Sequence, residues 1–431
     1  MDKVRISPTK FQGKIHIPSS KSLGHREIIC AGLADGTSVI DNISMSNDIE
    51  ATCRCLQALG VQIENVPSRF AGRTALSVTG SGTLQPSALG GDCGESGSTL
   101  RFLIPLAAFT GRPFTLQGHG RLVSRPLQAY YDIFDAQQIE YRTQNGQLPL
   151  TVNGRLRPGH YSLPGNVSSQ FVSGLLFALP LLQGDSVLEI TSPLESASYV
   201  NLTLSCLEKY GIHIENDQHR CYKISGRQQY RPQNSMVEGD WSQAAFWLVA
   251  GSLGRQVTCG GLEAASGQGD RAVLEIMRRM GAVLKEQSGS VTAQQSATTA
   301  AVIDAADCPD IIPVLTVLAA VSSGTTKVIN AARLRLKECD RLAAITRELN
   351  RLGAKIEELP DGLLITGQPE GLRGGAQVDA WNDHRIAMSL AVAAAVCAEP
   401  FVLSGAGSVA KSYPDFWQDY LQAGGKMEVL A

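Results

Sequence analysis

The stretch Leu59-Gly60-Val61-Gln62-Ile63-Glu64 reads as a helix end, a glycine turn and the first residues of a strand. It recurs as Ala136-Gln137-Gln138-Ile139-Glu140, Tyr210-Gly211-Ile212-His213-Ile214-Glu215 and Met280-Gly281-Ala282-Val283-Leu284-Lys285. Two more copies follow, Leu352-Gly353-Ala354-Lys355-Ile356-Glu357 and Ala423-Gly424-Gly425-Lys426-Met427-Glu428. The copies lie about 70 to 77 residues apart, a period too long for the common solenoids.

Upstream of each copy the order of elements also repeats. A polar cluster opens an apolar helix, as at 170–182 and 310–321. A glycine turn and a β-branched strand such as Thr326-Lys327-Val328-Ile329 come next. A more amphipathic helix follows, as at 341–352, where Leu342, Ile345, Leu349 and Leu352 keep helical spacing. A further strand is visible in Leu363-Leu364-Ile365 and Tyr222-Lys223-Ile224. Six such units in two groups of three predict two similar α/β domains, with the apolar helices central. Residues 225–234, rich in Arg, Gln and Pro, read as the linker. A second crossing is expected near Pro18, because the first unit's helix begins at Ser19.

A chain of 431 residues is long for one core, which agrees with two domains. Its 43% apolar and 18% charged residues are ordinary for a globular protein, and a net charge of −2 offers no general attraction for nucleic acid or anionic membrane. The start of the chain lacks the pattern of a secretion signal, and its apolar runs are too short to span a bilayer, so a cytoplasmic protein is expected. Ten cysteines stand without C-x-x-C pairs or metal spacing and read as buried free thiols; neither a metal site nor a cofactor is expected.

The chemistry collects at helix starts. The apolar helices open on Ser19-Ser20-Lys21-Ser22, Glu95-Ser96-Gly97-Ser98-Thr99-Leu100-Arg101, Ser168-Ser169-Gln170, Gly239-Asp240-Trp241-Ser242, Asp307-Cys308-Pro309-Asp310 and Asn382-Asp383-His384-Arg385. Ser and Asp there serve as N-caps. Lys21, Arg26, Arg101, His384 and Arg385 do not fit that role, because each cation in a first turn opposes the helix dipole by about 0.3–1 kcal/mol. Repeated cations beside free N–H groups point instead to bound anions. The amphipathic helices open on Ser124-Arg125-Pro126, Ser196-Ala197-Ser198-Tyr199, Lys337-Glu338-Cys339-Asp340-Arg341 and Lys411-Ser412-Tyr413-Pro414. A cleft formed by such ends would hold phosphates and carboxylates, with Asp310 and Glu338 as proton-transfer acids. Walker, Rossmann and nucleophile-elbow motifs are missing, so ATP, NAD and covalent serine chemistry find no support.

At these residues the chain resembles the 5-enolpyruvylshikimate-3-phosphate synthases (3-phosphoshikimate 1-carboxyvinyltransferases) of the enolpyruvyl transferase family. The likeness runs in order through Lys21-Ser22-x-x-x-Arg26, Gly94-x-x-Gly97-x-x-x-Arg101, Arg125-Pro126, Ser168-Ser169-Gln170, Pro309-Asp310, Leu336-Lys337-Glu338-x-Asp340-Arg341, Asn382-Asp383-His384-Arg385 and Lys411-x-x-Pro414. It implies two domains, each of three βαβαββ repeats in an inside-out α/β barrel, with the active site in the interdomain cleft. The domains would span 19–226, mainly for shikimate 3-phosphate, and 1–18 with 227–431, mainly for phosphoenolpyruvate and the acid–base groups.

The resemblance assigns Lys21, Ser22, Arg26, Ser168, Ser169, Gln170, Ser196, Tyr199, Asp310 and Lys337 to shikimate 3-phosphate. It assigns Lys21, Gly97, Arg125, Gln170, Arg341, Arg385 and Lys411 to phosphoenolpyruvate. Asp310, Glu338 and Lys21 would be catalytic, in a monomer that uses only these small molecules. The acceptor's 5-hydroxyl would attack C2 of phosphoenolpyruvate while C3 takes a proton, and the tetrahedral intermediate would then lose phosphate. Two departures stand out: Arg333 replaces the Asn of many relatives, and Glu95-Ser96 replaces the usual Asn-Ala before Gly97. The neighbouring family, UDP-N-acetylglucosamine enolpyruvyl transferase, usually has Asn after the first Lys and a reactive Cys in the loop matching 118–125. This chain has Ser22 and no Cys in that loop. A non-catalytic pseudo-symmetric scaffold would spread its cations over a surface rather than at helix starts.

Overall fold

The computed structural model describes residues 2–70 and 73–430. They form six four-stranded sheets, one for each copy of the repeat. Every sheet is built alike: a central strand carries a short parallel strand on one side and two antiparallel strands on the other. In the first, Asp35–Ile43 pairs in parallel with Ser235–Met236 and antiparallel with Thr74–Ser81, which in turn pairs with Gln62–Pro67. Alternation sets the buried face. In Gln147–Asn153 the side chains of Leu148, Leu150 and Val152 go inward while those between them do not.

The chain divides into two compact units, one of residues up to Pro18 and from Glu238 onward, the other Ser19–Val237. Each holds three of the sheets and its own apolar core. The crossings are made by strand exchange. Gln12–His16 is the parallel edge beside Gln256–Gly260, and Lys3–Ser7 lies between Phe401–Ser404 and Lys426–Leu430. Ser235–Met236 completes the first repeat's sheet in the other unit.

The second crossing falls after Val237, later than the expected 226/227. The Arg, Gln and Pro content of 225–234 reads as a linker, and most of the segment is exposed, but it is anchored to the unit Ser19–Val237. Tyr230 is buried with its hydroxyl donating to the Phe177 carbonyl at 2.8 Å, and the Arg227 and Gln228 N–H groups reach the Leu182 and Pro180 carbonyls at 2.7 and 2.9 Å. Where Asp35–Ile43 bends, Asn42 takes a left-handed conformation (φ 56°) and its amide donates to the Val237 carbonyl at 2.6 Å.

Three apolar helices sit within each unit: Lys21–Leu33, Gly97–Thr110 and Ser169–Ala178 in one, Trp241–Leu253, Ile312–Ala319 and His384–Val392 in the other. Every residue of Trp241–Leu253 and of His384–Val392 is buried; the first is apolar on nearly all sides, and the second also buries His384 and Arg385. Prolines shorten two of the expected helices. The run 170–182 changes to a 3-10 turn, Leu179–Leu181, around Pro180, and 310–321 begins with a 3-10 turn, Pro309–Ile311, at Pro309. Among the described residues no helix is long and apolar enough to cross a membrane.

The recurring phrase is a left-handed turn in all six copies. Gly60, Gly211, Gly281, Gly353 and Gly424 have φ of 97°, 81°, 91°, 104° and 85°, and Gln138 holds the sixth position at 56°. Such φ values favour glycine because a Cβ collides with the following carbonyl.

Candidate active site

The capping role expected at the helix starts is filled by Ser20, Ser96, Ser168, Asp240 and Asp383, whose side chains accept backbone N–H groups of the following turn. Asp310 does not cap. Its Oδ1 meets Arg341 Nη1 at 2.8 Å and Lys337 Nζ at 3.4 Å, and its Oδ2 meets Arg385 Nη2 at 2.9 Å. The fold brings these four sequence candidates together within one unit. Glu338 joins them through Oε2, which accepts from Arg341 Nη2 at 2.7 Å.

Burial alone would raise the Asp310 carboxyl. The positive charges of Arg385, Lys337 and Arg341 outweigh it and hold the group well below the usual carboxylate range, against a smaller opposing effect from Glu338. Lys337 moves down from its ordinary value because burial penalises its ammonium form, an effect that Asp310 only partly offsets and to which Arg341 and Arg333 add. Arg341 is held firmly protonated: burial works against its charge, but Asp383, Glu338 and Asp310 more than compensate. Lys411 Nζ donates to the Asn382 carbonyl at 2.7 Å, at the start of the helix that carries Arg385.

Two contributors to this cluster had no assigned role in the sequence reading. Asp383 appeared only as a cap, yet it also accepts from Arg341 Nε at 2.7 Å. Ser242 accepts from Arg385 Nη2 at 3.1 Å. The cap signature of Asn382-Asp383 was the available signal, but it does not show that one carboxylate serves two donors.

In the unit Ser19–Val237 the candidates form two groups. Arg26 is buried and gathers the first: its Nε donates to Thr203 Oγ1 at 2.8 Å, Nη1 to the Ser22 carbonyl at 2.6 Å and Nη2 to the Tyr199 carbonyl at 2.8 Å. None of the carboxylates among the described residues pairs with it. Burial is the largest influence on Arg26 and pulls its proton affinity down to about 10, while Cys206, Tyr199 and Cys30 oppose that shift. Ser196 stands at the start of the Tyr199 helix in a left-handed conformation (φ 53°) and is buried.

The second group surrounds Gly97. A Cβ on this glycine would stand 2.5 Å from Arg125 Nη1 and 3.6 Å from Gln170 Oε1, so any side chain at Gly97 would collide with the Arg125 guanidinium. Gln170 is fixed at both ends of its amide, accepting from Arg101 Nη1 at 2.8 Å and donating to Ser98 Oγ at 2.9 Å. Ser168 caps the Gln170 N–H at 3.3 Å, and Ser169 next to it is buried. Lys21 pairs with Asp48 at 2.7 Å, a partner on the neighbouring helix that sequence reasoning did not identify. Glu95 lies against Gly120, where a Cβ would come within 2.5 Å of its Oε2. Serines, amides and fixed cations suit a polyhydroxylated phosphate ester, and the acid–cation cluster of the other unit suits proton transfer beside a multiply charged anion.

Comparison with known proteins is consistent across three kinds of match. Residues 6–420 match the family described as EPSP synthase (3-phosphoshikimate 1-carboxyvinyltransferase). The 3-phosphoshikimate 1-carboxyvinyltransferase of Clostridium kluyveri is 51% identical over 428 residues, covering 99% of both chains. That of Clostridium novyi is 49% identical, covering 99% of this chain and 98% of its own. Among solved structures, EPSP synthase from Acinetobacter baumannii is similar with a TM-score of 0.83 at 25% identity over the whole of both chains. An enolpyruvyl transferase from Streptomyces tendae shares the fold, with a TM-score of 0.77 at 18% identity.

Proposed function

We propose a reaction that starts from kinship: this chain belongs to the EPSP synthase family. It is an enzyme that transfers the enolpyruvyl group of phosphoenolpyruvate to the 5-hydroxyl of shikimate 3-phosphate, releasing phosphate. The observation that carries the reading is Asp310 held by Lys337, Arg341 and Arg385 within 3.4 Å. The same cations that neutralise this carboxylate are those a phosphate or carboxylate ligand would claim.

Arg26, Ser22, Ser168, Ser169, Ser196, Tyr199 and Lys337 bind shikimate 3-phosphate in this reading. Lys21, Gly97, Arg125, Arg341, Arg385 and Lys411 bind phosphoenolpyruvate, and Gln170 serves both. Asp310, ionised but weakly basic while three cations hold it, gains basicity when the donor's anionic groups draw Arg341 and Arg385 away. Its freed oxygen then takes the proton of the attacking 5-hydroxyl. Glu338, in its acid form, delivers a proton to C3 as the C2–O bond forms and takes one back from the new methyl as phosphate leaves, while Asp310 passes the hydroxyl proton to the departing phosphate, so protons balance over the two steps. Lys21 supplies charge at the donor and assists that transfer. Once drawn to the donor, these cations stabilise the charge of the tetrahedral intermediate. The reading includes a cytoplasmic monomer that acts on small molecules alone.

The experiment is phosphate release from phosphoenolpyruvate with shikimate 3-phosphate, run beside UDP-N-acetylglucosamine as acceptor. Release with the first acceptor alone is expected. Release only with the second, or with neither, overturns the assignment.

A further inference from the structure

A line of buried polar groups runs beside the Gly97 cluster and takes no part in the reaction described above. His25 Nδ1 lies 2.8 Å from Thr52 Oγ1, Thr52 Oγ1 lies 2.6 Å from Thr99 Oγ1, and Thr99 Oγ1 donates to Ser96 Oγ at 2.8 Å. All four side chains are at most 1% exposed. The line joins three helices, Lys21–Leu33, Asn47–Ala58 and Gly97–Thr110, and ends at the residue before Gly97.

Its direction follows from counting donors. Burial, with Lys21 and Arg26 nearby, holds His25 well below its ordinary proton affinity, so the ring is neutral and has one N–H. Nε2 finds no partner among the described residues, so that proton belongs on Nδ1, where Thr52 accepts it. Thr52 then donates to Thr99, whose single hydroxyl proton has the nearer acceptor in Ser96 Oγ at 2.8 Å, the Asp48 carbonyl lying at 3.3 Å. Ser96 Oγ also accepts the Thr99 backbone N–H at 3.2 Å, so both of its lone pairs are used on the helix side. Its own O–H is left to point away from Thr99, and no group among the described residues accepts it. A buried donor without an acceptor is costly unless a ligand oxygen meets it. The next residue is Gly97, which faces Arg125 Nη1 and Gln170.

We propose that Ser96 donates a hydrogen bond to an anionic oxygen of phosphoenolpyruvate and that His25, acting through Thr52 and Thr99, sets the direction of that donor. The proposal rests on phosphoenolpyruvate occupying the Gly97 and Arg125 side. Ser96 touches substrate in this account, whereas His25 is a positioning residue.

Initial rates give separate KM values for the two substrates, with Tm measured on each variant. Ser96→Ala is expected to raise KM for phosphoenolpyruvate about tenfold, the loss typical of one hydrogen bond to a charged group, with KM for shikimate 3-phosphate little changed. Ser96→Gly, which starts a helix nearly as well as Ser, shows the same KM effect with less loss of Tm, and Ser96→Thr restores KM. His25→Leu raises KM for phosphoenolpyruvate with Ser96 intact, and His25→Gln, whose amide donates to Thr52, recovers it. If Ser96→Ala and Ser96→Gly lower Tm but leave that KM alone, Ser96 is only a cap and the proposal fails. An unchanged KM in His25→Leu overturns the relay. These failures occur in an active enzyme; a wild-type protein that releases no phosphate would instead remove the functional reading and this proposal together.

Discussion

Arg341 and Asp383 meet twice, Nε to Oδ2 at 2.7 Å and Nη2 to Oδ1 at 3.3 Å, with both side chains at most 1% exposed. The same Asp383 oxygen that takes the second contact also accepts the Arg385 N–H at 2.8 Å. One buried carboxylate therefore orients one guanidinium and starts the helix that carries the other. Asp383→Ala removes a buried partner and a cap together, and is expected to cost about 3–5 kcal/mol in urea unfolding. KM for phosphoenolpyruvate should rise as well, because Arg341 loses the contact that aims it.

Asp310 gives a pH signature. Its folded proton affinity is depressed, so its stabilising effect is complete above the unfolded value of about 3.9 and is lost as pH falls from there through the folded value. Asp310→Asn should be less stable than wild type at neutral pH, and the gap should close as acid is added below about pH 4. Denaturation midpoints measured across that range check the sign. Turnover of this variant should fall by about a hundredfold or more, if the group acts as a general base.

Among the described residues the charge of Arg26 meets neutral groups, the Ser22 and Tyr199 carbonyls, the Thr203 hydroxyl and the face of the Phe102 ring 5.1 Å away. An anionic acceptor substrate offers it a stronger partner. Shikimate 3-phosphate should raise the Tm of wild type clearly, and Arg26→Lys, which keeps the charge but loses the planar fork, should bind it about tenfold more weakly and show a smaller rise. Equal shifts in both proteins would remove Arg26 from the acceptor's contacts.

The left-handed turn after each second helix allows a test in opposite directions. Gln138 is exposed and the one non-glycine at this position, so Gln138→Gly should stabilise by roughly 0.5–1 kcal/mol. Gly60→Ala places a Cβ 2.3 Å from the Gln85 carbonyl as well as straining φ. It should cost at least about 2 kcal/mol, measured by the same urea titration.

The repeat was readable because a left-handed backbone is written into residue type, and glycine marks it in five copies out of six. The helix starts were readable for a related reason: caps and first-turn cations are local features. Relationships across elements were not. Asp48 finds Lys21 only when two helices pack side by side, and Tyr230 turns an apparent linker into core by reaching Phe177. Thr52 and Thr99 look like ordinary helix residues, and nothing in their spacing shows that their hydroxyls meet at 2.6 Å. Three-dimensional neighbours of this kind leave no period in the sequence.

The exchanged strands also impose an order on biosynthesis. The unit Ser19–Val237 has all its strands once Met236 has left the ribosome. The strand Gln12–His16, made earlier, has no partner until 256–260 emerge, and Lys3–Ser7 waits for 401–404 and 426–430. At translation rates of about 5–20 residues per second the delay is on the order of tens of seconds. Val4 and Ile6 trail from a completed neighbour until the end of synthesis, and Ile15 and Ile17 until 256–260 emerge; all four are buried in the finished protein. The nascent chain thus carries its own sticky leader, and a holdase that shelters those few residues would act before the second unit exists.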